Sequence, residues 1–145
     1  MIVTTYVPKE YIELVWDRIE PYLDGAAKYT YGRYNVEDIK EGLLSKDQQL
    51  WIAYDDATET TYGAVVTEIT TYPRLTALVM HFTGGIELPK WKAPMLEAIQ
   101  EFARNNACDV IESYGREGWG KVFKDDGFTK RFMFYELPVE NTNVE

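Results

Sequence analysis

Apolar residues recur along this chain with two different periods, and each period predicts one kind of element. Ile12, Val15, Trp16 and Ile19 are spaced three or four residues apart, which indicates the buried face of a helix. Pro21 is expected to end or kink that helix, because proline lacks the N–H that a helix interior needs. The pattern therefore predicts a first helix that either ends or kinks at this proline.

A second helix is predicted over residues 36–47, where Asn35 stands at the position of an N-cap. Its inward face is expected to carry Ile39, Leu43 and Leu44. The loop between the two helices is rich in tyrosine, and it either lines a binding surface or closes one end of the core. The loop residues in question are Tyr29, Tyr31, Arg33 and Tyr34.

Alternation with β-branched and aromatic residues predicts strands, including one before the first helix. Residues 48–56 and 61–72 flank a turn-prone stretch and predict an antiparallel hairpin, which residues 74–82 extend by a third strand. The remaining predictions are a long helix, a short strand, a short helix and a final strand, at 91–107, 109–114, 116–126 and 128–139. We therefore predict one α+β domain with three layers over residues 1–139, followed by a disordered tail at 140–145.

The composition narrows the classes of partner. A net charge of −9 opposes binding to the phosphates of nucleic acid and to anionic lipid. A single cysteine, Cys108, and a single histidine, His81, cannot form an internal disulfide or a zinc site with four ligands. No apolar run reaches the roughly 20 residues that cross a bilayer, and no signal peptide is recognisable. We expect a soluble intracellular protein with no metal, no nucleic acid and no membrane partner.

The second half of the chain carries the motif W(x)10FARNNACDVIESYGREGWGKVFKDDGF. With the predicted order of elements, this motif resembles the GNAT superfamily of N-acetyltransferases, and in particular the divergent GNAT-like proteins of tailed phages. The resemblance covers nearly the whole chain and implies a GNAT-like mixed, largely antiparallel twisted sheet flanked by about four helices. It also implies a location in the host cytoplasm or the virion. The matching positions are Trp91, Ala107, Cys108, Gly115, Arg116, Gly118, Trp119, Gly127 and Phe128.

In that superfamily, a glycine-rich loop between the fourth strand and the long helix holds the pyrophosphate of acyl-CoA on backbone N–H groups. The equivalent stretch of this chain reads TGGIELPKWKAP. By resemblance, the cofactor-binding positions are Thr83, Gly84, Gly85 and Ile86. Pro89 and Pro94 remove two N–H donors from this stretch, and Glu87 adds a carboxylate that repels an anion. The sequence therefore favours a chain without a cofactor over one that binds acetyl-CoA.

The resemblance also implies a catalytic acid, a tyrosine four residues before the glycine of the closing Gly-Phe pair. This chain has Phe123 there, which has no proton to donate. The candidates for base and acid near the ends of the fourth and fifth strands are His81, Glu112 and Tyr114, with Glu68 as a weaker one. For each, an ordinary packing or surface role is the alternative. Cys108 is expected to be a buried small hydrophobe.

Three functions stay open at this point. The altered loop and the missing acid favour a GNAT scaffold without turnover, a virion-associated or host-directed interaction protein with an unknown protein partner. The alternative is an acyl-CoA-dependent N-acetyltransferase that acts on an amine. The third is an acidic DNA mimic, which the net charge and a carboxylate stripe on the first helix suggest. That stripe consists of Glu10, Glu13, Asp17 and Glu20.

Overall fold

The computed structural model describes residues 1–115 and 122–139, and the chain divides into two compact units, Met1–Tyr114 and Gly115–Glu145. The single domain expected over residues 1–139 stays a prediction. The tail at 140–145 and the motif residues Arg116, Gly118 and Trp119 lie outside the described residues.

The first unit has an α+β architecture whose elements follow the predicted order. They are β1 (Ile2–Val7), α1 (Ile12–Ala27), α2 (Val36–Ser45), β2 (Gln48–Asp55), β3 (Thr61–Thr71), β4 (Thr76–Gly85), α3 (Lys92–Asn105) and β5 (Val110–Ser113). Short 3-10 turns at Lys9–Tyr11 and Leu88–Lys90 lead into α1 and α3. None of the helices in the described part of the chain is both long and apolar enough to cross a membrane.

The five strands form one mixed sheet in the order β1-β2-β3-β4-β5. The pairs from β1 to β4 are antiparallel, so the predicted hairpin and its third strand are confirmed. β5 pairs with β4 in parallel, which requires a crossover connection, and α3 provides it. The parallel pair is therefore the place where the antiparallel pattern of the sheet changes.

Helices cover both faces of the sheet. α1 and α2 pack on one face, where Ile19, Leu23 and Leu43 are fully buried against strand residues such as Val66. On the other face, Phe102 of α3 contacts the rings of Tyr6 and Trp51. A buried polar chain crosses this second face: Trp51 Nε1 donates to Thr67 Oγ1 at 3.0 Å, and Thr67 donates to Gln49 Oε1 at 2.8 Å. Because each buried polar group has a partner, the network does not weaken the core.

At Pro21 the helix does not end, and of two further predicted details one is wrong and one is confirmed. α1 runs through Pro21 to Ala27, because the buried face continues beyond the proline and its packing outweighs the lost hydrogen bond. Leu44 is exposed rather than buried, since it follows Leu43 by one position and points to another side of α2. Asn35 caps α2 as predicted: its side chain accepts from Asp38 N at 2.9 Å, and the Asp38 carboxylate accepts from Asn35 N at 3.0 Å.

The predicted final strand at 128–139 is wrong, because no strand forms among residues 122–139. A 3-10 turn at Lys124–Asp126 stands in the described part of the predicted short helix, so the described residues contain three α-helices and not about four. Phe123 is buried, and its ring lies 4.9 Å from that of Phe128. The β propensity of residues 128–139 is real, but propensity alone makes no ladder without a neighbouring strand.

Candidate functional site

The sheet opens between β4 and β5. The two strands pair from Ala77–Val110 to Met80–Ser113, whereas β4 continues to Gly85. Over residues 81–85, the only strand that pairs with β4 in the described part of the chain is β3. One edge of β4 therefore offers its backbone N–H and C=O groups to a ligand beyond Met80. We call this opening the fork.

His81 is the first residue of β4 in the fork, directly after the last pair with β5, and it lies in a β-bulge. Val66 pairs with Phe82 and Thr67 pairs with Met80, so His81 is the extra residue between them. A bulge changes the direction of the side chain it carries. The bulge brings His81 Nε2 to 2.7 Å from Glu68 Oε1 on β3.

The contact with Glu68 determines which nitrogen of His81 can act as a base. An ionised carboxylate only accepts hydrogen bonds, so beside an ionised Glu68 a neutral His81 ring carries its proton on Nε2 and its lone pair on Nδ1. Gln48 Nε2 donates to the same Glu68 oxygen at 3.5 Å and helps to hold the carboxylate. The side chains of His81 and Glu68 are 23% and 32% exposed, so a substrate can reach them.

The other two predicted catalytic residues meet through a residue that the sequence did not indicate. Tyr72 Oη donates to Glu112 Oε1 at 2.9 Å. The hydrogen bonds that Tyr72 makes with Glu112 and Tyr114 raise its pKa to about 12. Val79 pairs with Glu68 on one side and Glu112 on the other, so the two carboxylates share a face two strands apart, roughly 10 Å. Glu112 and Tyr114 thus cluster with Tyr72, while His81 pairs with Glu68.

The loop between β4 and α3 has already used several of its N–H groups. Ile86 N donates to Tyr62 O at 2.8 Å, Lys90 N to Glu87 O at 2.9 Å, and Trp91 N to Leu88 O at 3.0 Å. Pro89 and Pro94 contribute no N–H. Three N–H groups of this loop thus donate within the protein, while the altered cofactor loop stays a prediction. The Glu87 charge is balanced, because its carboxylate lies 2.6 Å from Lys90 Nζ and raises the Lys90 pKa.

The two consecutive glycines of this region allow elements to pack closely. A Cβ on Gly84 would collide with the carbonyl oxygen of Tyr22 in α1, and one on Gly85 would collide with the carbonyl oxygen of Tyr62. Trp91 is buried beside them, and its Nε1 donates to Ile86 O at 2.8 Å. Packing alone is thus enough to explain both glycines, although Thr83, Gly84 and Gly85 still lie on the open part of β4 and Ile86 directly follows it. Their role in binding a cofactor stays a prediction.

The remaining candidates contribute less to a site. Cys108 is partly buried, and burial together with Asp109 raises the pKa of its thiol, which makes it a poor nucleophile.

In the carboxylate stripe, Glu13 pairs with Lys40 at 2.6 Å and Glu20 accepts from Trp16 Nε1 at 3.0 Å. No group of three metal-binding side chains occurs in residues 1–115 and 122–139. In the tyrosine-rich loop, Tyr29 and Tyr31 are exposed, whereas the ring of Tyr34 contacts the buried Phe82 and covers a small part of the core.

The sequence matches no protein-family model and no curated protein. The structure is similar to an aminoglycoside acetyltransferase from an uncultured soil metagenomic sample, with a TM-score of 0.70, 11% identity and coverage of 97% of this chain and 99% of that one. It is also similar to a ribosomal-protein-alanine N-acetyltransferase from Brucella melitensis biovar Abortus 2308, with a TM-score of 0.69, 11% identity and coverage of 97% and 100%. A third similar structure is that of a tetramutant of the BH1408 protein from Bacillus halodurans, with a TM-score of 0.70, 11% identity and coverage of 94% of this chain and 99% of that one. The fold is therefore GNAT-like, as the sequence motifs predict; likeness at these identities does not extend to activity.

Proposed function

We propose that this protein is an acyl-CoA-dependent N-acyltransferase that modifies an amine at the fork between β4 and β5. The observation that carries the proposal is the position of the Glu68–His81 pair, one residue beyond the last pair of the two strands, Met80–Ser113. A histidine held by a carboxylate is a common general base. The acetyltransferases among the similar structures support this reading over the interaction protein that the sequence favours.

In this proposal His81 takes the proton of the amine. Nδ1 accepts it, because Nε2 is committed to Glu68. The positive charge that forms on the imidazole is stabilised by the Glu68 carboxylate, which also fixes the orientation of the ring. Gln48 keeps the carboxylate in place.

Acyl-CoA would supply an acyl group activated as a thioester. The open edge of β4 suits an extended arm that contains amides, because unpaired backbone groups of a strand accept another chain in this way. The residues that would hold the arm are Thr83, Gly84, Gly85 and Ile86. The fit is good along this edge and poorer at the phosphate end, where the loop has few free N–H groups.

A proton donor is also needed, and Phe123 cannot serve. The protonated His81 can return the proton it has taken. Tyr114, exposed at the end of β5, is a second donor, and its hydroxyl is close to that of Tyr72. Glu112 then orients Tyr72 rather than acting as a base.

Two measurements test the proposal. Calorimetry should detect micromolar binding of acetyl-CoA or a longer acyl-CoA, and release of free thiol in the presence of a panel of amines should show turnover. Glu68→Gln should lower kcat without weakening acyl-CoA binding, because it removes the charge that stabilises the imidazolium. Glu37→Gln, an exposed position on α2, is the matched control and should leave both unchanged. If calorimetry detects no binding of acetyl-CoA or of longer acyl-CoAs, the proposal is wrong.

A GNAT scaffold that binds a protein without turnover is the second candidate. The specific observation in its favour is the loop before α3, where three N–H groups are already donated and two prolines provide none. This protein would then bind a phage or host protein. Mass spectrometry of purified virions and a pull-down from host extract are the tests, and absence from both would count against it.

A further inference from the structure

The first unit contains a groove that lies away from the fork, between α1 and the end of the sheet where β2 turns into β3. Its volume is about 290 Å³. Thr5, Ile52 and Tyr54 line its floor, and the register of β1 and β2 places them on the face of the sheet that α1 covers. This floor is two to three strand spacings from β4, or roughly 10–14 Å. The groove is therefore separate from the candidate site, and we call it the α1 groove.

One face of α1, together with the residue at its N-cap, forms the wall of the α1 groove. Tyr11, Leu14 and Arg18 are three or four residues apart, so they share that face. Leu14 is 76% exposed and Tyr11 is 52% exposed, so the wall presents apolar surface to solvent. One turn further along, the Tyr22 hydroxyl donates to Thr61 O at 2.8 Å and joins α1 to β3 at the far end of the groove. Apolar surface that borders a cavity is typical of a ligand-binding site.

The α1 groove carries one cation and one anion. The cation is Arg18 on the wall, and the anion is Glu59 in the connection between β2 and β3. Both side chains are exposed, and neither charge has an ion pair among the residues that the structure describes. The turn that carries Glu59 is held by Asp55, whose Oδ1 accepts from Ala57 N at 2.8 Å and from Thr58 N at 3.1 Å. The groove therefore offers a ligand two opposite charges on two well-supported elements.

The two charges and the volume restrict the class of ligand. A simple anion would be attracted by Arg18 and repelled by Glu59, and a simple amine would meet the opposite problem. A zwitterion satisfies both, because its carboxylate accepts from a guanidinium while its ammonium donates to a carboxylate. The volume lies at the lower end of ligand-binding cavities, which measure about 300–1,000 Å³, so the ligand is small.

We propose that the α1 groove binds a free α-amino acid with an apolar side chain, such as leucine or phenylalanine. The carboxylate binds Arg18 and the ammonium binds Glu59. The apolar side chain packs on Leu14 and Ile52, which removes the exposed surface of the wall from water. This site is independent of the acyltransferase reaction, because it contains no residue of the fork.

Calorimetry on the full chain without acyl-CoA tests the chemistry of the ligand. Leucine should bind with a dissociation constant of about 0.1–1 mM, as expected for about nine non-hydrogen atoms at a partly open site. Three analogues each remove one feature: leucinamide lacks the carboxylate, N-acetylleucine lacks the ammonium, and glycine lacks the apolar side chain. Each should bind about tenfold more weakly than leucine or worse.

Substitutions test where the ligand binds. Arg18→Gln and Glu59→Gln should each raise the dissociation constant of leucine about tenfold, because each removes one ion pair. Glu59→Gln should also bind leucine and N-acetylleucine equally. Arg104→Gln and Glu101→Gln make the same changes at exposed positions of α3 and are the matched controls. His81→Ala should leave leucine binding unchanged. Circular dichroism of each variant checks that the fold is intact.

Three results would overturn the proposal. The first is that neither leucine nor phenylalanine binds in the millimolar range. The second is that the wild-type chain binds leucinamide or N-acetylleucine as tightly as leucine, which excludes recognition of both charges. The third is that leucine binding survives Arg18→Gln, or that His81→Ala abolishes it, which places the ligand outside the α1 groove. Binding of acyl-CoA is measured separately, so none of these results bears on the acyltransferase proposal.

Discussion

The two halves of β4 have the same partner on one edge and different surroundings on the other. Residues 77–80 pair with β3 on one side and β5 on the other, and all four are buried. Residues 81–85 keep β3 but have passed the end of β5, and His81 and Thr83 are partly exposed. Within one strand, therefore, the first half builds the core and the second half builds the candidate site.

This difference shows how a sheet creates a site by losing a strand. Where both edges are paired, every backbone group is satisfied and the side chains serve packing. Where one edge is open, backbone groups and side chains become available to a ligand. In open sheets, ligands commonly bind in the crevice beyond the carboxyl ends of parallel strands, which is where the β4–β5 pair ends. The following substitutions test the packing role of the paired half of β4 and the functional role of the open half separately.

His81→Ala should have the largest effect, and on activity alone. The loss of a general base lowers kcat/KM by about 10²- to 10⁴-fold, or roughly 3–5 kcal/mol. The free energy of unfolding should change by no more than about 1 kcal/mol, because the side chain is partly exposed. Steady-state kinetics and urea unfolding of the same preparation are the measurements. Activity close to wild type would remove His81 from the mechanism.

Leu78→Ala, in the paired half, should lower stability and leave activity unchanged. Leu78 is fully buried, so truncation should cost about 2–5 kcal/mol of unfolding free energy through lost burial and a cavity. Urea denaturation measures the loss, and kcat/KM of the folded fraction should stay near the wild-type value. A loss below about 1 kcal/mol would mean that this half is not the core of the sheet.

Gly84→Ala should destabilise by about 1–3 kcal/mol, although it lies in the open half. Its Cβ would collide with the backbone carbonyl of Tyr22, so α1 must move away from β4. Gly25→Ala is the matched control: nothing lies within 4 Å of the added Cβ, and alanine favours a helix over glycine. Thermal unfolding should therefore move in opposite directions for the two variants. A neutral Gly84→Ala would show that the glycine does not serve packing.

Tyr72→Phe should have the smallest effect; Tyr72 follows the end of β3, beside the start of β4. Hydrogen bonds with Glu112 and Tyr114 raise the pKa of Tyr72 to about 12 in the folded chain, from the 10.0 of a tyrosine without these bonds. The folded state therefore binds this proton more tightly, so its contribution to stability is complete below pH 10 and declines as the pH rises toward 12. Ultraviolet titration should show one late-ionising tyrosine that the variant lacks. Identical titration curves for the two proteins would contradict the Tyr72–Glu112 bond.

The sequence predicts elements well where a local pattern decides them. The capping box at Asn35 needs only residues three apart, and the order of strands and helices follows from the two hydrophobic periods. α1 does not end at Pro21, because burial of the residues beyond it, which α1 achieves by packing on the sheet, outweighs a local penalty. The strand at 128–139 is wrong because a pattern can indicate the propensity for a strand but cannot supply the neighbour.

The candidate site could be found only in part. A lone histidine near the end of a strand is visible in the sequence, and so is the GG pair. The partner of His81 depends on a bulge in the register of β3 and β4, and Tyr72 meets Glu112 across 40 positions of the chain. No local signal identifies either contact, because the register of a sheet is set by packing along its whole length.

The sequence alone determined the class of fold, the order of its elements and the GNAT resemblance, because periodicity, caps and motif spacing are local properties. Only the tertiary structure decided that β5 stops at Ser113 while β4 continues, that His81 meets Glu68 there, and that the glycines serve close packing. These features depend on where separate segments end relative to one another. That is a property of packing between distant residues, and no window of sequence contains it.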